Sequence, residues 1–228
     1  MRYTTLLFDL DHTLFDFDAS ESAAFSKTLA TAGIDDPDRY RDMFAAINTA
    51  LWADVESGVL SPNEVRTRRF CNLIDGAGID ADPIVLADHY VIGLGAEGDL
   101  FPGAREVLED LAEAFTLALV SNGIGQVQRD KIARLGLDTY FDSIVISGEV
   151  GTSKPGTGIF DIVFDRLGNP DRTTVLMIGD SLTSDIRGGI NYGIDTMWYA
   201  PDEPLGTRYD ATYRIGDLNE IADIVAGD

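Results

Sequence analysis

The sequence predicts an α/β fold, a doubly wound parallel sheet that an all-helical segment interrupts after the first strand. Three features carry the prediction. Continuous apolar runs of strand length recur along the chain, and each ends abruptly in a small polar cluster. Helical patterns alternate with the later runs, as the crossovers between parallel strands require. Between residues 16 and 113 apolar residues continue at helical spacing without any strand pattern.

In chain order, Tyr3-Thr4-Thr5-Leu6-Leu7-Phe8 is the first strand, closed by Asp9-Leu10-Asp11. Helical patterning then runs from about 20 to 97. Phe44, Ile47 and Leu51 share one helical face, and Val65, Phe70 and Leu73 make a less regular one. Ser61-Pro62-Asn63-Glu64 reads as a helix start, with Ser61 as N-cap, Pro62 at the first position and Glu64 at the third. A helix near 103–113 leads to the second strand, 115–120, which ends in Ser121-Asn122-Gly123. The next helix, near 126–135, stops at Gly136, which suits a left-handed cap. Residues 144–147 are the third strand and 156–168 a helix; 174–178 are the fourth strand, ending in Gly179-Asp180. A helix over 182–192 and a fifth strand, 195–199, complete the pattern. The expected division is a core of residues 1–15 and 100–228 and a helical cap of residues 16–99.

Asp and Glu total 39 against 17 Lys and Arg, a formal net charge of −22. Clustered cations hold nucleic-acid backbones and anionic membranes, so neither is an expected partner. No apolar run approaches the roughly 18 residues that span a bilayer, and the first apolar stretch is too short for a signal peptide. A single cysteine, Cys71, excludes an internal disulfide framework and a cysteine-built metal site. A cytoplasmic protein is the expectation. The 29 Asp and only three Lys (Lys27, Lys131 and Lys154) suit a solvated acidic surface or a salt-rich cytoplasm. A residue so scarce draws interest wherever a motif contains it.

The polar clusters follow strand ends, which is where ligands bind in open α/β sheets. They are Asp9-Leu10-Asp11-His12-Thr13, Ser121-Asn122, Lys154-Pro155, and Gly179-Asp180-Ser181 with Asp185. Asp9, Asp11, Asp180 and Asp185 brought together would repel one another strongly without a cation. Oxygen ligands of this kind suit Mg²⁺, which works with phosphates. A lysine and a hydroxyl–amide pair facing the same ion would complement the remaining phosphate oxygens. A carboxylate there can attack phosphorus, giving an aspartyl phosphate that water hydrolyses.

On these four motifs, in this order and spacing, the whole chain resembles the haloacid dehalogenase-like hydrolases, and the segment after the first motif resembles that family's helical cap. The resemblance implies that Asp9 is the nucleophile and a Mg²⁺ ligand. It implies that Asp11 is the general acid and base, with its backbone carbonyl on the metal. Ser121 and the backbone amide of Asn122 would hold the phosphoryl oxygens, and Lys154 would offset the charge of nucleophile and phosphate. Asp180 would bind Mg²⁺, Asp185 would complete the acidic set, and Thr13 would support its geometry. The implied activity is a Mg²⁺-dependent phosphatase for a small phosphorylated metabolite. Asp11 speaks against C–Cl cleavage, because the dehalogenases carry no acid two positions after the nucleophile. A phosphomutase uses the same two acids and stays open. A phosphonate hydrolase wants a Schiff-base lysine in the cap, where Lys27 is the only lysine and nothing marks it. The inserted segment and Asp11 weigh against a non-catalytic phospho-aspartate signalling domain. Nothing indicates an oligomeric state.

Looser segments resemble the pyrimidine 5′-nucleotidases: Leu14-Phe15-Asp16-Phe17-Asp18, Leu51-Trp52 with residues 56–61, Arg69-Phe70, residues 168–172 and residues 188–191. They suggest a nucleoside 5′-monophosphate as substrate, with Phe17 and Trp52 packing on the base, and a sugar phosphate as the alternative. His12 stands where glycine is common in the wider family but fits this branch. Plainer readings compete: Phe17 and Trp52 also suit core positions, and His12 a hydrogen bond to the backbone. Asp16 and Asp18 suit helix caps or solvated acids. Arg66 and Arg69 could meet a substrate, but Arg66, Arg68 and Arg69 suit salt bridges on an acidic cap better. Cys71 suits a small buried apolar position, and His89 the surface or a satisfied core position.

Overall fold

The computed structural model describes residues 2–204 and 209–227. Strand β1 (Thr5–Phe8) leads into four helices, α1 (Phe17–Thr31), α2 (Asp38–Glu56), α3 (Pro62–Ala77) and α4 (Pro83–Ala96). The chain returns through α5 (Ala104–Ala112) to β2 (Thr116–Ser121) and α6 (Gly125–Leu135). Then come β3 (Ser143–Ile146), a short α7 (Ser147–Val150), α8 (Gly158–Arg166) and β4 (Val175–Gly179). The last elements are α9 (Arg187–Tyr192), β5 (Asp195–Tyr199), β6 (Tyr213–Ile215) and α10 (Glu220–Gly227). The strands form one parallel sheet in the order β3-β2-β1-β4-β5-β6. The winding reverses between β1 and β4, which opens a crevice at their carboxyl ends.

Strand side chains alternate between two cores. Leu6, Phe8, Leu119 and Ile178 pack with Leu108 of α5, Ile132 of α6 and Ile221 of α10. Leu7, Val120, Val145 and Met177 pack on the other face with Phe160 and Val163 of α8 and Tyr192 of α9. Both faces are covered, which is why the strands read as unbroken apolar runs.

The four helices after β1 have a core of their own around Phe44. Its ring lies 4.4 Å from that of Phe25 and 5.3 Å from those of Phe70 and Tyr90. α1 and α4 touch closely because Gly93 carries no side chain; a Cβ there would sit 2.8 Å from the Ala24 Cβ. Ser61 and Glu64 close the expected capping box on α3. Asp16 caps α1, accepting from Ala19 N at 3.0 Å. Ile124 and Val127 of the α6 region join this helical core. The two connections to the sheet run side by side: Asp16 N donates to Asp99 O at 3.0 Å and Phe101 N to Leu14 O at 2.9 Å.

Three details depart from the sequence reading. Residues 182–192 are not one α-helix, because Leu182–Ile186 is a π-helical turn that precedes α9. β6 and α10 lie beyond the fifth strand, and three residues with Arg214 in the middle are too few to show a strand period. Cys71 is half-buried rather than buried. Among the described residues no helix is long and apolar enough to cross a membrane.

Candidate active site

Asp9 follows the last residue of β1 and Asp180 the last residue of β4, so adjacent strands deliver two carboxylates to the crevice. Lys154, on the loop after α7, reaches the same place and is 1% exposed. Its Nζ lies 2.6 Å from Asp9 Oδ1, Asp185 Oδ1 and the Val120 carbonyl oxygen. The π-helical turn carries Asp185 back toward β4, where Ser181 N donates to its Oδ2 at 3.0 Å. Gly179 makes this possible, since a Cβ there would come within 2.2 Å of Asp185 Oδ2.

Asp180 is held on two sides. Thr13 Oγ1 accepts from its backbone N–H at 3.0 Å and donates to Oδ1 at 3.3 Å, while Trp198 Nε1 donates to its carbonyl at 2.7 Å. Asn122 grips the lysine loop with its side chain, Nδ2 donating to the Lys154 carbonyl at 2.7 Å and Oδ1 accepting from Lys154 N at 2.8 Å. Ser121, at the end of β2, is buried beside them. His12 has φ 64°, a left-handed conformation that explains why glycine suits this position.

Asp9, Asp180 and Asp185 offer carboxylate oxygens that all lie within 4.8 Å of one another. Burial pushes the Asp9 carboxyl well above its usual range against the pull of Lys154, and Asp185 and Asp180 add repulsion. Burial, then Asp185, pushes Asp180 up to about 7. Burial works against the charge of Lys154, but Asp185 and Asp9 outweigh it and hold this lysine above its ordinary value. One ammonium thus faces three carboxylates. Hard oxygens in surplus negative charge fit a divalent cation such as Mg²⁺.

The Asp11 carboxylate stands outside that triad. Its Oδ1 is 2.6 Å from Lys131 Nζ, and its Oδ2 accepts from Gln128 Nε2 at 2.7 Å. Gln128 Nε2 also donates to Ser121 Oγ at 2.7 Å, so one α6 side chain links the acid to the hydroxyl. Lys131 is fully buried, which pushes its ammonium below the usual lysine value against the pull of Asp11. It lies 4.3 Å from the Phe15 ring centroid and 4.8 Å from that of Phe17. Sequence reasoning missed both Lys131 and Gln128. Lysine scarcity was the available signal, because two of the three lysines stand at this one site.

A cavity of about 280 Å³ opens above these groups. Every helix of the insert contributes to its wall: Phe17 from α1, Trp52 and Glu56 from α2, Arg69 from α3 and Leu94 from α4. Ile124 and Val127 extend the apolar part. Phe17 and Trp52 therefore both line the cavity. The salt-bridge expectation holds for Arg66, 2.6 Å from Asp88, and fails for Arg69. Arg69 is 1% exposed, donates from Nε to the Val65 carbonyl at 3.2 Å and lies 5.1 Å from the Tyr90 ring centroid. The cause is its place on the inward stripe of α3, four residues from Val65 and four from Leu73.

A lysine among carboxylates at the switch point of a doubly wound sheet, beneath a helical wall, suits a hydrolase that works on an anionic group. The chain belongs to the haloacid dehalogenase-like hydrolases, whose sequence profile matches residues 3–193. It is 37% identical over 225 residues to the pyrimidine 5′-nucleotidase PynA of Streptococcus pneumoniae, covering 98% of this chain and 95% of that one. To the ribulose-1,5-bisphosphate 5-phosphatase of Halopiger xanaduensis it is 30% identical over 239 residues, covering 98% and 99%. The crystal structure of the HAD-hydrolase YfnB of Bacillus subtilis, bound to magnesium, matches with a TM-score of 0.92 at 34% identity, covering 99% of this chain and 100% of that one. The chain is a phosphatase of this family.

Proposed function

We propose that the protein hydrolyses nucleoside 5′-monophosphates, pyrimidine nucleotides foremost, through an aspartyl phosphate on Asp9. The observation that carries this reading is Lys154 poised 2.6 Å from both Asp9 and Asp185, two carboxylates that line, with Asp180, a cavity also lined by Phe17 and Trp52. The 37% identity to a pyrimidine 5′-nucleotidase supports the choice of ester.

Asp9 and Asp180, with the Asp11 backbone carbonyl, would hold Mg²⁺, and Asp185 completes the acidic set. When bound, Mg²⁺ supplies positive charge to the phosphoryl oxygens and offsets the crowding of the carboxylates. Asp9 attacks phosphorus with one carboxylate oxygen, and the bond to the ribose 5′-oxygen breaks. Ser121 Oγ–H and the Asn122 backbone N–H bind phosphoryl oxygens, and Lys154 balances the charge that gathers there. Asp11 gives a proton to the departing oxygen, then takes one from the water that cleaves the acyl phosphate. Thr13 keeps Asp180 in place. Residues 16–99 act as a cap on the core of residues 1–15 and 100–228, and Phe17 and Trp52 pack on the base.

The Halopiger relative favours a second reading, a sugar phosphate as substrate. One screen decides: phosphorylated metabolites incubated with the protein and Mg²⁺, with released phosphate as readout. Pyrimidine monophosphates should lead. If they rank no better than sugar phosphates, the nucleotidase reading falls. Isomerised product without free phosphate would point to a phosphomutase.

A further inference from the structure

The two ends of the cavity differ in charge. The sheet end has Lys131 and Lys154 beside the reacting carboxylates. At the insert end, among the described lining residues, Arg69 is the lysine or arginine on the wall, and the Glu21 carboxylate answers it. Glu21, behind the wall, accepts from Asn48 Nδ2 at 2.6 Å and Tyr90 OH at 3.0 Å and acts on the Arg69 guanidinium electrostatically. Glu56 lines the cavity itself, with Thr183 Oγ1 donating to it at 3.3 Å. Glu56 acts on Asp185 and Lys154 and so belongs with the floor, while at Arg69 one cation against one carboxylate leaves no positive surplus for a second phosphate. Phe17, Trp52, Leu94, Ile124 and Val127 make the rest of this wall apolar. Within it, Arg69 Nη2 is sealed from water and has no hydrogen-bond partner, while the guanidinium makes its directed bond through Nε. Buried donors of this kind are normally satisfied, so this one is open to an acceptor that a ligand brings.

Resting on the nucleotidase reading and sharpening it, we infer that the insert end of the cavity takes an uncharged planar ring bearing a carbonyl, that Arg69 donates to that carbonyl, and that esters with a second phosphate are refused. A neutral carbonyl satisfies the guanidinium without adding charge to a wall that Glu21 already balances. The ring fills the apolar surface between Phe17 and Trp52. A small rotation of the guanidinium as the ring arrives gives Nη2 its acceptor.

The test compares kcat/KM for four esters: uridine 5′-monophosphate, ribose 5-phosphate, fructose 1,6-bisphosphate and a ribonucleoside 5′-monophosphate with phenyl in place of the base. The native protein should prefer the uridine nucleotide to ribose 5-phosphate and to the phenyl analogue by about tenfold or more each, with the bisphosphate below ribose 5-phosphate. In Arg69→Met the preference for the uridine nucleotide over ribose 5-phosphate should shrink to about threefold or less, through KM, and Arg69→Lys should recover part of it. A preference that survives in Arg69→Met, or a phenyl analogue turned over as well as the uridine nucleotide, overturns the role of Arg69 and leaves the nucleotidase reading standing. A bisphosphate that outruns ribose 5-phosphate overturns the charge argument. A native protein without any preference for the uridine nucleotide over ribose 5-phosphate overturns both readings together. The phenyl analogue needs no variant, so the outcome does not depend on Arg69→Met folding.

Discussion

The floor of the cavity and its wall are built in opposite ways. On the floor, Asp9, Ser121 and Asp180 stand at strand ends in one hydrogen-bonded sheet, and Lys154 is tied to that edge through Asn122. On the wall, Phe17, Trp52, Glu56, Arg69 and Leu94 come one or two at a time from four helices. A sheet holds reacting atoms to tenths of an ångström, while a packed helical unit joined by two paired connections can be re-lined without disturbing them. On the proposed function, the difference separates chemistry from choice of substrate: the floor would break the phosphate ester, and the wall would select what is attached to it.

Substitutions can break that separation or sharpen it. The largest effect belongs to Asp9→Asn, which should lower turnover of p-nitrophenyl phosphate by about a thousandfold or more. Its melting temperature should hold or rise, because one carboxylate fewer is crowded there. Activity retained in this variant would end the assignment of the floor to chemistry. Lys131→Met should come next, with kcat down about ten- to a hundredfold and KM within about twofold, since it removes the partner that orients Asp11. A change confined to KM would move Lys131 from the floor to the wall.

The smallest effect is on stability. With Asp180 raised from 3.8 to about 7 in the folded chain, its contribution is full below the unfolded value and is lost as pH rises through 7. The metal-free protein should therefore melt lower at about pH 8 than at about pH 5, and excess Mg²⁺ should flatten that slope. Parallel melting curves with and without Mg²⁺ would sink the idea that the triad holds the ion.

The same contrast sets what was legible in the sequence. Five strands and the residues that follow them show as apolar runs with polar ends, because a strand end puts consecutive residues at one edge. Lys131 and Gln128 escape this logic. They sit within a helix, and only the fold brings α6 against Asp11. Arg69 is half legible: with Arg66 it could meet a substrate, but salt bridges are the preferred reading, and only the inward stripe from Val65 to Leu73 separates Arg69 from its neighbours. The π-helical turn at Leu182–Ile186 has no local mark, as its register follows from the bond between Ser181 N and Asp185. β6 is an edge strand of three residues and leaves too short a pattern to read.

Where the lysines stand has a practical consequence for labelling. Lys131 and Lys154 are sealed inside, whereas the Lys27 side chain is 65% exposed and pairs with Glu97. Among side-chain amines, the native chain therefore offers a coupling reagent a single address. A dye or a solid support attached at Lys27 would leave the two buried ammonium groups beside Asp9 and Asp11 untouched, and labelling of all three lysine side chains would report that the molecule had come apart.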